Sequence, residues 1–330
     1  MPETSEERKA SAKEAMQPRR RWSRRALLGG LGLAGLGAAA TAAYRAAPTF
    51  WRQYVREFDR PILPPEHVPE ARSWPDRGLF ASWLGHATVL LKIDGFTILT
   101  DPVFSERAGL NLGPVTLGVK RLVAPPLEIP QLPPVDLVLL SHAHMDHFDV
   151  PSLRRLENRA TSVVTAHETS ELLRVGRYRE VTELRWDSAA RIGPAEVRAF
   201  EVKHWGARMR TDTYRGYNGY VIQVGRYRVL FGGDTADTHT FAPLRTSRGI
   251  DLAVMPIGAY NPWIRYHCTP EQAWRMGSEA GAEFFIPMHH QTFQLSREPF
   301  EEPIERFVAA AGPRPERVAV RGIGQTFRLT

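Results

Sequence analysis

Thiols are almost missing from this 330-residue sequence, whose only cysteine is Cys268. No internal disulfide can brace the fold, and a zinc site built from thiolates is excluded, which leaves imidazole and carboxylate as metal ligands. A basic surplus is missing from the body as well. The net charge of +7 is concentrated in residues 1–47, which hold nine Lys or Arg and four Asp or Glu. The remainder carries 34 basic against 32 acidic residues, so whole-chain charge is no argument for a polyanion and no nucleic-acid partner is expected. There is no internal repeat either. What is there, a hydrophobic content of 43%, is ample for a globular core.

The chain divides by composition into three parts. In residues 1–43 a polar start leads through Arg19-Arg20-Arg21-Trp22-Ser23-Arg24-Arg25 into the uncharged run of 18 residues Ala26–Ala43. Five glycines make that run a poor core helix. It is also borderline for a membrane span, which needs about 20 apolar residues. Ser-Arg-Arg ahead of a weakly apolar stretch resembles a twin-arginine export signal, with Ala40-Thr41-Ala42 as a small-residue cleavage pattern. Export to the periplasm or the outer face of the membrane is the expectation, and retention as a membrane anchor is its competitor. Residues 44–78 hold Pro61, Pro64, Pro65, Pro69 and Pro75 without a sustained helical or strand period, and read as a linker that packs onto the domain formed by 79–330.

Within that domain, Phe80–Leu84, Thr88–Ile93 and Phe96–Thr100 read as strands, the last two joined by Asp94-Gly95, a type I′ hairpin signal. A long loop is expected after Asp101-Pro102, then a buried strand in Val135–Leu140. Helices are expected at Pro151–Asn158, Glu168–Val175, Pro270–Ala280 with Thr269 as N-cap, and Glu302–Ala311. Further strands are expected at Ser162–Ala166, Val197–Val202, Gly219–Val224, Tyr227–Gly232, Leu252–Pro256, Glu283–Pro287, Arg317–Val320 and Gln325–Leu329. Hairpins first, then strands alternating with helices, point to an α+β fold: a mixed-sheet sandwich with helices outside.

The stretch that carries chemistry is Ser141-His142-Ala143-His144-Met145-Asp146-His147-Phe148-Asp149, directly after the Val135–Leu140 strand. Three histidines and an aspartate within six residues are hard to explain as ordinary loop polarity, because burying so many polar groups without a partner is costly and a metal converts them into a shell. In a turning loop His142 and His144 can aim at one cation while Asp146 and His147 reach a neighbour, which outlines a two-metal site. Later strand ends supply more ligands: His204 after Val197–Val202, Asp234 after Tyr227–Gly233, and His289 after Phe284–Met288. Each alone is an ordinary loop residue; together they repeat one position.

The set His142-x-His144-x-Asp146-His147, His204, Gly-Asp-Thr at Asp234, and His289 resembles the metallo-β-lactamase superfamily. Trp83-Leu84-Gly85-His86-Ala87-Thr88, Leu99-Thr100-Asp101-Pro102, Gly232-Gly233-Asp234-Thr235 and Pro256-Ile257-Gly258-Ala259-Tyr260 are similar to its branch containing N-acyl-phosphatidylethanolamine-hydrolysing phospholipase D. The resemblance runs from about Leu79 to the C-terminus. It implies an αββα sandwich with two zinc ions, His142, His144 and His204 on the first, Asp146, His147 and His289 on the second, and Asp234 bridging. His290 stands where that branch has Trp, so His289 and His290 compete for the ligand role, and strand spacing favours His289.

A water bridging two divalent cations becomes hydroxide near neutral pH, because coordination lowers its pKa from about 15.7 to about 7. It would attack phosphorus or a carbonyl carbon without a serine or cysteine nucleophile. Asp146, Asp234 and His267 are the catalytic candidates: Asp146 to orient the water, Asp234 to bridge, and His267 to bind substrate or protonate a leaving group. Asp101 is a candidate hydrogen-bond acceptor behind a ligand histidine, and His86 has no assigned role. Trp205, Tyr260, Trp263, Tyr266 and Phe293 can line an apolar pocket, and Lys120, Arg121, Arg208, Arg210 and Arg265 can meet a phosphate. The expected function is zinc-dependent hydrolysis of a phospholipid or small phosphodiester, with association to a membrane surface. The competing readings are a lactonase or esterase and a non-catalytic zinc protein at the membrane; manganese or iron also suits the shell.

Overall fold

The computed structural model of the protein describes Thr41, Arg45 and residues 48–113, 115–209 and 211–330. The expected export segment lies outside the described residues apart from Thr41. No helix among the described residues is long and apolar enough to cross a membrane. The chain separates into two compact units, Met1–Val55 and Arg56–Thr330. Where no periodic element was expected, there is a helix, α1 (Pro48–Arg56).

In the second unit a seven-stranded sheet contains β1 (Leu79–Gly85), β2 (Thr88–Ile93), β3 (Phe96–Thr100), β6 (Leu137–Leu139), β7 (Ser162–Ala166), β8 (Glu180–Leu184) and β15 (Thr326–Leu329). Their order is β15-β1-β2-β3-β6-β7-β8. A six-stranded sheet contains β9 (Ala189–Ile192), β10 (Ala195–Phe200), β11 (Gly219–Val224), β12 (Tyr227–Phe231), β13 (Ile250–Pro256) and β14 (Ala282–Met288), in the order β14-β13-β12-β11-β10-β9. Asp94 and Gly95 both have positive φ, as a type I′ turn between β2 and β3 requires.

Period-2 alternation decides the layering. Leu79, Ala81 and Trp83 of β1 face Val197, Tyr220, Ile222, Val229, Phe231 and Val254 in a core between the sheets. Phe80 and Leu84 point the other way, onto Ala71 and Trp74, so part of the proline-rich segment covers this outer face. On the same sheet Val138, Leu140 and Val163 pack on Leu153 of α2 (Val150–Arg155). Outside the second sheet, Leu230, Ala253, Met255 and Phe285 meet Met276 of α3 (Pro270–Glu279) and Phe307 of α4 (Glu302–Ala310). The layers are helix, sheet, sheet, helix: the expected α+β sandwich. Strands buried on both faces also explain why their sequences are nearly continuous apolar runs.

Several local expectations are corrected. The loop after Asp101 contains a hairpin, β4 (Arg107–Asn111) and β5 (Thr116–Lys120). Gly109 and Gly118 face each other there so closely that a Cβ on either would strike the opposite backbone. No helix spans 168–175, but two short 3₁₀ turns: Glu168 has φ +57°, and the Glu183 carboxylate accepts the amides of Glu168, Thr169 and Ser170. The Arg317–Val320 strand is a 3₁₀ turn, Pro315–Arg317, with one bridge from Val318 to Phe285. β8 and β9 were unexpected; both are edge strands and partly polar.

Candidate metal centre

Parallel pairing brings the site together. β3, β6 and β7 run parallel in one sheet and β12, β13 and β14 in the other, so within each sheet their C-terminal ends share an edge. Asp101 follows β3, the Ser141–Asp149 loop follows β6, Asp234 follows β12 and His289 follows β14. His204 arrives after β10 and is tied to the Asp234 loop by Lys203 N donating to Thr235 Oγ1 (3.1 Å) and Ala236 N donating to the Lys203 carbonyl (2.8 Å). The second sheet also grips the histidine loop: Tyr220 Oη donates to the Leu140 carbonyl (2.9 Å) and Asn218 N to the Ser141 carbonyl (3.0 Å). Buried Phe148 anchors the loop's far end, its amide donating to the His144 carbonyl (2.7 Å).

All seven expected ligands, with His267, meet in one buried cluster. His144 Nδ1 lies 2.8 Å from His142 Nε2 and 3.2 Å from His204 Nε2. Asp234 Oδ2 lies 3.1 Å from His289 Nε2, 3.2 Å from His147 Nε2, and 3.8 Å from both His204 Nε2 and His267 Nδ1. Asp146 Oδ2 is 3.5 Å from His289 Nε2 and 3.6 Å from His147 Nε2. Two groups suited to a cation stand out, His142, His144, His204 and, beside it, Asp146, His147, His289 with His86. Asp234 reaches toward both.

Asp101 stands behind both groups. Its fully buried carboxylate accepts from Ser141 N (2.7 Å), Ser141 Oγ (2.5 Å) and His147 Nδ1 (2.7 Å). Ser141 Oγ in turn lies 2.8 Å from His142 Nδ1. With the hydroxyl proton directed to Asp101, the oxygen accepts from His142 Nδ1–H. One carboxylate thus fixes His142 and His147 in the tautomer that leaves Nε2 unprotonated and free to ligate. The Tyr266 carbonyl does the same for His204, 2.9 Å from its Nδ1.

The electrostatics call for added positive charge. Burial opposes ionisation of Asp146 and Asp234, but neighbouring imidazoles, His147 first, outweigh it and hold both carboxyls well below their usual range. Burial likewise opposes charge on His147 and His289. Asp234, with Asp146, overrides it, pushing His147 well up and His289 up to about 9. Protons on these two imidazoles therefore balance two buried carboxylates, a role a divalent cation performs better. His142 and His204 are driven well down by burial and stay neutral, the form in which an imidazole can ligate. His147 Nε2, His289 Nε2 and Asp234 Oδ1 are buried without a hydrogen-bond partner. Imidazole nitrogens and carboxylate oxygens converging in one cluster, with protons alone to balance the buried carboxylates, fit a cation site.

Other expectations divide. His290 turns away and stacks on Trp83 with ring centroids 4.4 Å apart, so of the two it is His289 that faces Asp234 and Asp146. Trp205 sets its ring against His144 (4.7 Å) and near Tyr266 (5.9 Å). Tyr260 instead donates to the Glu302 carboxylate, and Phe293 is buried beside His86. The basic residues are mostly engaged with carbonyls: Lys120 with Phe58 and Arg60, Arg121 with Val103 and Ser105, Arg208 with Ala143 and Phe148. These three are braces rather than phosphate ligands. Arg265 is exposed, and Arg210 lies outside the described residues. The residue that sequence reading left without a role is His86, whose Nε2 sits 2.9 Å from Asp146 Oδ2. Its signals were a polar residue ending a strand and its place in the Trp83–Thr88 motif, neither of which says what its side chain meets.

A family model described as a beta-lactamase superfamily domain matches residues 97–290. An uncharacterised protein of Mycobacterium tuberculosis is 35% identical over 255 residues, covering 75% of this chain and 68% of that one. The N-acyl-phosphatidylethanolamine-hydrolyzing phospholipase D 1 of Caenorhabditis elegans is 29% identical over 250 residues, covering 71% of this chain and 69% of that one. Among solved structures, a possible metal-dependent hydrolase from Veillonella parvula superposes with a TM-score of 0.60 at 18% identity, covering 77% of this chain and 100% of that one. Fold, ligand cluster and sequence matches agree: the chain belongs to the metallo-β-lactamase superfamily.

Proposed function

We propose that this protein is a two-zinc phosphodiesterase of phospholipase D type, acting on N-acyl-phosphatidylethanolamine-like lipids at a membrane surface after export by its twin-arginine-like segment. The observation that carries the lipid reading is the apolar rim beside the cluster. Trp205, Trp263, Ile264 and Tyr266 are 43%, 51%, 46% and 41% exposed, in segments that also carry His204 and His267. Large exposed apolar side chains grouped at a site favour a lipid over a small polar ester. Similarity to the nematode phospholipase supports the same substrate class.

In this reading His142, His144 and His204 would hold one cation and Asp146, His147 and His289 the other, with Asp234 within reach of both. Bound there, the cations supply Lewis acidity and lower the pKa of a coordinated water from about 15.7 to about 7. The chain's own groups do the rest. Asp101 and the Tyr266 carbonyl keep the ligand imidazoles in the ligating tautomer. His267, on the Asp234 side of the cluster and held neutral by burial, which lowers its pKa to about 4, is assigned to hydrogen-bond the substrate at the leaving oxygen. Trp205 and Tyr266 exclude water and receive the apolar part of the substrate.

The test is a hydrolysis panel with zinc-loaded protein: N-acyl-phosphatidylethanolamine, bis(p-nitrophenyl) phosphate and a set of lactones. Release of phosphatidic acid from the lipid is expected. Turnover of lactones alone would replace this reading with the lactonase one. Fractionation of cells carrying the tagged full chain tests export, with protein found only in the cytosol as the contrary result.

A further inference from the structure

The turn between β1 and β2 is built in an unusual way for a simple connection. Strand register shifts between Trp83 and Gly85, and Gly85 and His86 both have positive φ, +106° and +52°. A histidine in the left-handed region is strained where glycine would be at ease. Three hydrogen bonds hold it there: His86 N donates to Thr292 Oγ1 (2.6 Å), and the His86 carbonyl accepts from Trp83 Nε1 (2.7 Å) and His289 N (3.0 Å). His289 is itself left-handed, with φ +65°. Two strained residues from opposite sheets are thus bonded to each other, and their rings lie 4.1 Å apart. The His86 ring is almost fully buried, packs edge-on to Phe293 (5.2 Å), and directs Nε2 at Asp146 Oδ2 (2.9 Å).

We infer that His86 is the positioning residue of the second cation group: its Nε2–H donates to Asp146 and fixes how that carboxylate is presented beside His147 and His289. The inference rests on the two-cation reading of the centre. It differs from direct ligation in what it requires of the side chain, a donor rather than a lone pair. Asp146 needs such help more than its neighbours do. His147 is held through Asp101 and His142 through Ser141, whereas the nearest polar group to Asp146 Oδ2 is His86 Nε2, at 2.9 Å against 3.5 Å for His289 Nε2. The effect is confined to the second group, because the His142, His144 and His204 nitrogens make no bond to His86.

Two substitutions at the same left-handed position separate donor from packing. His86→Phe keeps an aromatic ring against Phe293 and His289 but cannot donate; His86→Gln loses the ring but places an amide donor at similar reach. Zinc stoichiometry and affinity are measured by competition with a chromophoric chelator, and the cobalt-substituted proteins are compared by visible spectrum; thermal unfolding monitors the fold. The expected result is one tight zinc retained in His86→Phe with the second weakened roughly 10–100-fold, and both retained in His86→Gln. Two zinc ions bound at wild-type affinity in His86→Phe would overturn the inference, as would equal loss in both variants. Fewer than two ions in the wild type would overturn the two-cation reading, and this inference with it.

Discussion

Asp101→Asn is the sharpest perturbation of the centre, because it barely changes volume and replaces none of the proposed ligands. The wild-type carboxylate accepts three hydrogen bonds, at 2.7, 2.5 and 2.7 Å. An asparagine must keep its oxygen toward the Ser141 amide, so its NH₂ replaces Oδ2 and faces Ser141 Oγ and His147 Nδ1. Both are donors toward Asp101 in the wild type. Relief requires His147 to move its proton to Nε2, and Ser141 to turn its hydroxyl toward His142 Nδ1, which moves the His142 proton to Nε2. Each shift protonates a ligating atom. Loss of an outer-shell partner of this kind costs about 10–100-fold in metal affinity. That is about 1.4–2.7 kcal/mol per cation. Because Asp101 serves one histidine in each group, the loss falls on both cations, in contrast to His86. Chelator competition on the dialysed, refilled variant measures it, with urea unfolding to show that the domain persists. Two zinc ions bound at wild-type affinity would refute the tautomer argument.

Other outcomes follow from the same structure. Asp234→Asn removes the carboxylate shared by both groups, and should lower zinc uptake by more than the roughly 10–100-fold of an outer partner and abolish hydrolysis, read by metal analysis and turnover. Phe285→Ala, under α3 and α4 against Trp274 (4.4 Å) and Phe307 (5.9 Å), should cost about 3–5 kcal/mol in denaturant unfolding, without changing which metals bind. Hydrogen bonds from Arg306 hold the Glu271 carboxyl down to about 2, from an ordinary value of 4.5. A depressed carboxyl stabilises the fold fully above its unfolded pKa and loses that contribution as pH falls through the folded one. Glu271→Gln should therefore lower the unfolding free energy slightly at pH 7, by less than about 1 kcal/mol for so exposed a pair, and the gap, followed by denaturant unfolding, should close between pH 4.5 and 2.

How far the sequence was legible depended on the range of the interaction responsible. His142, His144, Asp146 and His147 were readable because one turning loop brings them together, so their spacing is already the geometry. The strand-end positions of His204, Asp234 and His289 were readable because apolar runs mark buried strands and the residue after each falls at a sheet edge. Thr269 as the cap of α3 and Asp94-Gly95 as a type I′ turn are likewise local. Edge strands β8 and β9 escaped because an edge strand is half solvated and does not alternate cleanly. The β4–β5 hairpin escaped because it depends on two glycines meeting across the pair, not on either one's neighbours.

By itself, then, the sequence determined the chemistry, a cluster of imidazole and carboxylate ligands with no thiolate, and the layered sandwich that carries it. Tertiary structure alone decided which of two adjacent histidines faces the cluster, since His289 and His290 differ only in a backbone turn that sends one to Asp234 and the other onto Trp83. It also made braces of Lys120, Arg121 and Arg208, whose formal charge in the sequence does not reveal that nearby carbonyls already engage them. His86 belongs to the same class. Its place beside Asp146 exists only when the first turn of one sheet is hydrogen-bonded to the last strand of the other, 203 residues away at His289, and no local pattern records a contact closed over that distance.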